Sequence, residues 1–204
     1  MDEHRETVRS GYATMGETYH ERRVAREEAN IAWLDELRPL LPASGRVVDL
    51  GCGAGVPVTR YFANRGYEIE GYDLSEKMLA IARREVPQAQ FHEAAIEEIR
   101  LKPASVDLVV SFFAIIHVER DRHAALFARI FEWLRPGGAT LLSLGADDNP
   151  AQRSDQWLGA PMVWSHYDAT TNLDLLQRAG FEIVWQEVED FGHERHLFAI
   201  ARKP

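Results

Sequence analysis

Hydrophobic positions along the chain change period at residue 46. Before it, Val8, Tyr12, Met15 and Tyr19 recur at three- and four-residue spacing, the mark of one helical face. Gly11 and Gly16 interrupt that face, so the pattern predicts two helical pieces rather than one. A further helix is expected from about Val24 to Leu37, with Ile31, Trp33, Leu34 and Leu37 inward and Arg38-Pro39 and Leu41-Pro42 ending it. From residue 46 on, short apolar runs alternate with helical stretches. Arg46–Leu50, Tyr67–Tyr72, Ala89–His92, Val106–Ser111 and Thr140–Leu144 read as strands. Val56–Arg65, a Ser75-capped segment through Arg84, and Arg122–Leu134 read as helices between them. Several of these strands are continuously apolar, as expected where helices cover both faces of a parallel sheet. The alternation predicts an α/β, doubly wound sheet.

After Leu144 the pattern breaks. Residues 145–166 are polar and irregular, an insertion expected to act as a lid. A helix is expected from Asp168 to Ala179, stopped by Gly180. Phe181–Val188 and Leu197–Ala201 follow, joined by a connection short enough for a hairpin, so the sheet should end in an antiparallel strand.

The length of 204 residues suits one domain over 1–204, with residues 1–41 as an N-terminal helical cap. Hydrophobic residues make up 46% of the chain, ordinary for a globular protein, and no run approaches the ~18 apolar residues a membrane span needs. The charged N-terminus has no apolar segment behind it, which predicts a cytoplasmic protein, monomer or homodimer. A net charge of −9 repels phosphate backbones and argues against a nucleic-acid partner. Cys52, the single cysteine, sits between glycines as a small filler with no cationic neighbour to activate it.

The chemistry concentrates in Val47-Val48-Asp49-Leu50-Gly51-Cys52-Gly53-Ala54-Gly55-Val56. A buried strand here feeds a tight glycine turn and a helix, the opening of a nucleotide-type site. The dinucleotide fingerprint G-x-G-x-x-G is not met, because Val56 stands where the third glycine belongs, and no P-loop is present.

Val48-Asp49-Leu50-Gly51-Cys52-Gly53-Ala54-Gly55 resembles the glycine motif of class I S-adenosylmethionine-dependent methyltransferases. Three further landmarks resemble that family's in order and spacing. They are Glu70-Gly71-Tyr72-Asp73-Leu74-Ser75 followed by Met78-Leu79, Asp107–Ser111, and Leu134-Arg135-Pro136-Gly137-Gly138. The resemblance implies a Rossmann-like, mostly parallel seven-stranded sheet with its last strand antiparallel, and S-adenosylmethionine as cofactor. It places Gly51, Gly53 and Gly55 under the methionine part and Asp49 near the ammonium. Asp73 would accept from both ribose hydroxyls, for which a carboxylate offers two matched acceptors. Leu74 and Met78 would pack on adenine, with Ala95 and Ile96 reading its edge through backbone groups. Ser111, closing the fourth-strand motif, falls with the cofactor residues. Many relatives carry an acid where Ala95 stands, and Glu93 is the candidate displaced acid.

The implied activity is methyl transfer to a small-molecule O, N or S nucleophile by in-line displacement, which needs alignment, exclusion of water and, for a protonated nucleophile, a base. His117, just beyond the fourth strand, is the leading catalytic candidate, and His166, in Met162-Val163-Trp164-Ser165-His166-Tyr167-Asp168, is the second. Trp164 and Tyr167 are candidate substrate contacts, joined by Tyr12 and Tyr19 with His20 from the N-terminal side. Helical packing accounts for the two tyrosines equally well. His193 and His196 reach the pocket only if the final hairpin loop folds back, and no ligand spacing supports a metal site. The alternatives are a methyltransferase for a protein or RNA side chain, needing an open or basic surface, and a non-catalytic module that binds S-adenosylmethionine.

Overall fold

The structure is a computed structural model that describes residues 2–25, 27–192 and 194–204. Seven strands form the main sheet: β1 (Arg46–Leu50), β2 (Glu68–Asp73), β3 (Gln90–Glu93), β4 (Val106–Ser111), β5 (Leu134–Gly145), β8 (Glu182–Asp190) and β9 (Arg195–Arg202). Their order is β3-β2-β1-β4-β5-β9-β8. Pairings among β1 to β5 are parallel, whereas β9 runs antiparallel to both β5 and β8. The strand order reverses between β1 and β4, and the crevice at their carboxyl ends is where doubly wound sheets bind ligands.

The continuous apolar strands are explained by two separate cores. Val48, Val109 and Leu142 face a layer that holds Leu126, Phe127 and Trp133 of α5 (His123–Trp133) and Leu176 of α6 (Ala169–Arg178). Their neighbours Val47, Leu108 and Leu141 face α2 (Glu27–Glu36) and α3 (Val58–Ala63) through Leu34 and Phe62. Alternate residues point to opposite faces, and both faces are dry. Two caps match the sequence: Ser75 starts α4 (Glu76–Glu85) by accepting from the Met78 N–H, and Asp168 starts α6 by accepting from the Thr171 N–H.

The sequence expectation for the N-terminus fails. Residues Glu3–Val24 form one helix, α1, with Gly11 and Gly16 in its interior. Tertiary contact decides this. A Cβ on Gly11 would lie 2.6 Å from the Pro161 carbonyl oxygen and 2.8 Å from Met162 Cε, and one on Gly16 would lie 3.2 Å from Met78 Sδ. The glycines let α1 lie close against its neighbours. The second helix is also shorter than expected, beginning at Glu27 instead of Val24.

Residues 145–166 are likewise not irregular. β6 (Asn149–Trp157) and β7 (Ala160–His166) pair as an antiparallel hairpin separate from the main sheet. β7 supplies Met162, Val163 and Trp164 to a small core shared with Val8 and Met15 of α1 and Ile116. Gly11→Ala is therefore expected to destabilise the protein by about 1–2 kcal/mol in denaturant unfolding, overpacking outweighing the helix propensity gained. A more stable variant would remove Gly11 from this interface. Among the described residues no helix is long and apolar enough to cross a membrane.

Candidate active site

The turn after β1 is held open by backbone conformation. Gly51, Gly53 and Gly55 have φ of 71°, 53° and 77°, values that favour glycine. The N–H groups of Gly51 and Cys52 both donate to the Tyr72 carbonyl, at 2.7 and 3.0 Å, which ties the turn to the end of β2. At that end, Asp73 accepts from the Gly53 N–H through Oδ2 and from the Ser75 N–H through Oδ1, each at 2.9 Å. Each oxygen keeps a lone pair for a ligand. Burial raises the Asp73 carboxyl to about 6, against the pull of these backbone bonds. Burial likewise raises Asp49 to about 7, although the Thr59 hydroxyl donates to it at 2.7 Å.

A slot runs along this turn. Gly51, Gly53, Asp73 and Leu74 form its floor, and Ala95 and Ile96 line its far end. α1 roofs it with Val8, Tyr12 and Tyr19. Beside the slot lies a second chamber of about 280 Å³, walled by Trp157, Leu158, Trp164, Ile116 and Phe191. Tyr12, Tyr19, Phe113 and His117 line both cavities. His117 is buried in a short turn after β4. Its Nδ1 lies 2.7 Å from the Val163 carbonyl and its Nε2 3.0 Å from the Tyr12 hydroxyl. Burial pushes its pKa down to about 4, so the ring is neutral at pH 7. Trp164 stands 5.8 Å from it, ring to ring.

Other sequence candidates lie elsewhere. Gly55 faces Val86, Ala82 and Phe91 rather than the slot, its absent side chain making room for α4 and β3. Met78 is buried beneath the turn with Ala54 and Ile81. Ser111 is buried and donates to the Leu50 carbonyl at 2.8 Å, tying β4 to β1. His166 is held by the Asp147 carbonyl, 2.9 Å from its Nδ1, and lines an outer cleft beyond the chamber. Tyr167 packs under the Arg120 guanidinium, 5.0 Å away, and against His123. His20 pairs with Glu85 at 3.6 Å, linking α1 to α4. Glu93 is exposed, and the acid that lines the slot next to Ala95 and Ile96 is Glu97, bonded to Arg5 at 2.7 Å. Cys52 is buried, and its thiol is pushed well up by that burial, as befits a filler. His196 is buried against Phe113, while His193 lies outside the described residues.

The sequence reading missed Arg23. It lies with Asp49, Gly51 and Gly53 in a small pocket that shares the glycine turn with the slot, also lines the chamber, and stacks 4.1 Å over Phe113. Its Nη2 is buried without a hydrogen-bond partner. The signal was present: Arg5 and Arg23 extend the Val8-Tyr12-Met15-Tyr19 face at both ends with helical spacing.

Residues 47–138 match the methyltransferase domain family. The chain is 38% identical over 122 residues to a malonyl-[acyl-carrier protein] O-methyltransferase of Enterobacter lignolyticus, covering 58% of this chain and 47% of that protein. The chain thus spans about half the length of that curated relative. A solved S-adenosylmethionine-dependent methyltransferase from Mesorhizobium loti superposes with a TM-score of 0.67 at 28% identity, over 83% of this chain and 96% of that one. The fold also matches 1,6-didemethyltoxoflavin-N1-methyltransferase of Burkholderia thailandensis, solved with 1,6-didemethyltoxoflavin and S-adenosylhomocysteine. There the TM-score is 0.74 at 21% identity, over 97% of this chain and 88% of that one. Over residues 47–138 the chain is a methyltransferase domain, and it is similar to the class I S-adenosylmethionine-dependent methyltransferases.

The site fits that family's cofactor. The orphaned Arg23 nitrogen suits a carboxylate, the Asp73 oxygens a vicinal diol, and Leu74, Ala95 and Ile96 an apolar base. Asp49, buried beside the glycine turn, suits an ammonium, whose charge would stabilise its ionised form.

Proposed function

We propose that the protein transfers a methyl group from S-adenosylmethionine to an O, N or S nucleophile of a small molecule held in the aromatic-walled chamber. The observation that carries this reading is that Tyr12, Tyr19, Phe113 and His117 line both cavities. A donor bound along the glycine turn and an acceptor in the chamber meet across those four side chains, at the switch point of the sheet.

The cofactor, when bound, supplies an electrophilic methyl group; the chain aligns, encloses and deprotonates. Asp73, Arg23 and Asp49 would anchor the donor at its ribose, carboxylate and ammonium. The aromatic rings facing the sulfonium would favour its charge. Water is excluded by α1 and by the β6–β7 hairpin, which we assign as cap and lid of one domain. His117, neutral and next to the chamber, is the base of this reading. His166 and Tyr167 would take part only through a movement of β7. The chamber's aromatic walls, with Arg22, Arg23 and Glu194 also in its lining, favour an acceptor with a flat body that carries a polar or charged group. The names of the relatives support O- or N-methylation of small or carrier-bound acyl and heterocyclic groups. The acidic chain weighs against a nucleic acid, and a concave chamber rather than a flat surface weighs against a protein side chain.

The test combines thermal shift with a turnover screen. S-adenosylmethionine and S-adenosylhomocysteine are expected to raise the melting temperature and NAD to leave it unchanged, ligand at a hundred times its Kd adding about 2.7 kcal/mol. A small-molecule library should then yield acceptors that release S-adenosylhomocysteine. Stabilisation by NAD alone, or turnover confined to protein or RNA fractions, would overturn the proposal.

A further inference from the structure

The hydrogen bonds of His117 fix its tautomer. The Val163 carbonyl can only accept, so the ring nitrogen 2.7 Å from it, Nδ1, carries the proton. The neutral ring then has a bare Nε2, and the Tyr12 hydroxyl, 3.0 Å away, must donate to it. The basic nitrogen of His117 is thus covered. A nucleophile in the chamber would meet the oxygen of Tyr12, which also interacts with the Tyr19 hydroxyl and keeps one lone pair for the incoming group.

The Tyr12 ring is held in that position. It meets Tyr19, His117 and Trp157 edge-on, at 5.1, 5.6 and 6.2 Å between centroids. Its place at the junction of slot and chamber is where a proton must leave as a methyl arrives. His4 fixes the other side of the pair by bonding the His117 carbonyl at 2.8 Å.

We infer that, for a hydroxyl, thiol or amine acceptor, Tyr12 is the residue that takes the acceptor's proton while passing its own to His117 Nε2. This rests on the methyl-transfer reading of the chamber. In the step, the bond from nucleophile to methyl forms as the sulfur–methyl bond breaks, its electron pair staying on sulfur. The acceptor's proton moves to Tyr12 Oη, and the hydroxyl proton of Tyr12 moves to His117 Nε2. Tyr12 ends neutral and His117 ends protonated, to be discharged to solvent. A carboxylate nucleophile has no proton to give and would not use this relay. Tyr12 is then the catalytic residue that touches the acceptor, and His117 is the base that acts through it. The charged and titratable groups around the pair are His4, Tyr19, Arg23, Asp73, His166 and Glu194.

The experiment compares the wild type with Tyr12→Phe, His117→Gln and the double variant. Acceptors found by S-adenosylhomocysteine release are grouped as hydroxyl, thiol and amine compounds against carboxylates. Each single variant is expected to lower kcat about 10²- to 10³-fold, with the Kd for S-adenosylmethionine within about threefold. The double should be no slower than about the worse single variant, because the two act as one unit. His117→Gln should also abolish the acid limb of the kcat–pH profile. The inference falls if Tyr12→Phe keeps its kcat while His117→Gln loses it, if Tyr12→Phe acts only through cofactor affinity, or if only carboxylates turn over. A second readout needs no acceptor. In ¹⁵N-histidine-labelled protein, His117 should show the Nδ1–H tautomer, with an Nε2 resonance that moves in Tyr12→Phe. A proton on Nε2 would overturn the inference by itself. Absence of turnover with every acceptor class would instead overturn the methyl-transfer reading.

Discussion

Asp73→Ala is expected to raise the Kd for S-adenosylhomocysteine by at least two orders of magnitude in calorimetric titration. Two hydrogen bonds to a charged acceptor are each worth about 1.5–3 kcal/mol, and losing both corresponds to roughly 10²- to 10⁴-fold. The change also frees the N–H groups of Gly53 and Ser75, which Asp73 holds at 2.9 Å, so the floor of the slot loosens as well. Asp73→Asn keeps one acceptor and should fall between. Because burial raises the carboxyl to about 6, the group is ionised above that pH and protonated below it. Protonation replaces an acceptor by a donor facing the diol. The Asp73 contribution to affinity should therefore be flat above about pH 7 and fall as pH drops through 6, by up to about tenfold per unit. Asp73→Asn should lack that fall. Asp49, raised to about 7 by its own burial, would add a separate inflection that Asp73→Asn retains. Wild-type affinity in Asp73→Ala would remove Asp73 from the site.

The sheet was legible because a strand buried on two faces leaves a continuous apolar run, as in Val47-Val48 and Leu108-Val109-Val110. The glycine turn was legible because positive φ there demands glycine. The β6–β7 hairpin was not, since β6 lies almost wholly in solvent and buries too little to write a pattern. Its order comes from β7 packing on α1, a contact between segments more than a hundred residues apart. Gly11 and Gly16 misled for the same reason: propensity sees a helix breaker, where the fold needs a close approach. At the site, proximity in sequence to a motif did not give direction. Met78 follows the Ser75 cap by three residues and turns under the glycine loop, while Leu74 lines the slot. His166 and Trp164 sit two apart on β7, yet Trp164 lines the chamber and both line the outer cleft. The helix pattern of α1 held the most unread information, because its stripe of Val8, Tyr12 and Tyr19 serves as core and roof at once.

Gly51→Ala should be the most damaging single-methyl change in the chain. A Cβ at this position would lie 2.1 Å from the Ala114 Cβ, far inside van der Waals contact. Neither partner can yield cheaply: Ala114 has no rotamer to change, and the Gly51 N–H is fixed on the Tyr72 carbonyl at 2.7 Å. The φ of 71° adds about 1–2 kcal/mol for any residue with a Cβ, and overpacking adds about 1–3. The sum of about 2–5 kcal/mol is a large part of the 5–15 kcal/mol that stabilises a typical domain. At about 2–4 °C per kcal/mol for this chain length, the melting temperature should fall by roughly 4–20 °C. Cofactor affinity should drop too, because Gly51 lines the slot. Gly66→Ala separates the two causes. Gly66 has φ of 81°, but a Cβ there would meet nothing within 4 Å, so it should show the backbone cost alone, about 1–2 kcal/mol. Pairing Gly51→Ala with Ala114→Gly removes the clash and should recover stability to near the Gly66→Ala level. If Gly51→Ala is no worse than Gly66→Ala, the turn and the loop after β4 are not in the close contact that shapes the slot.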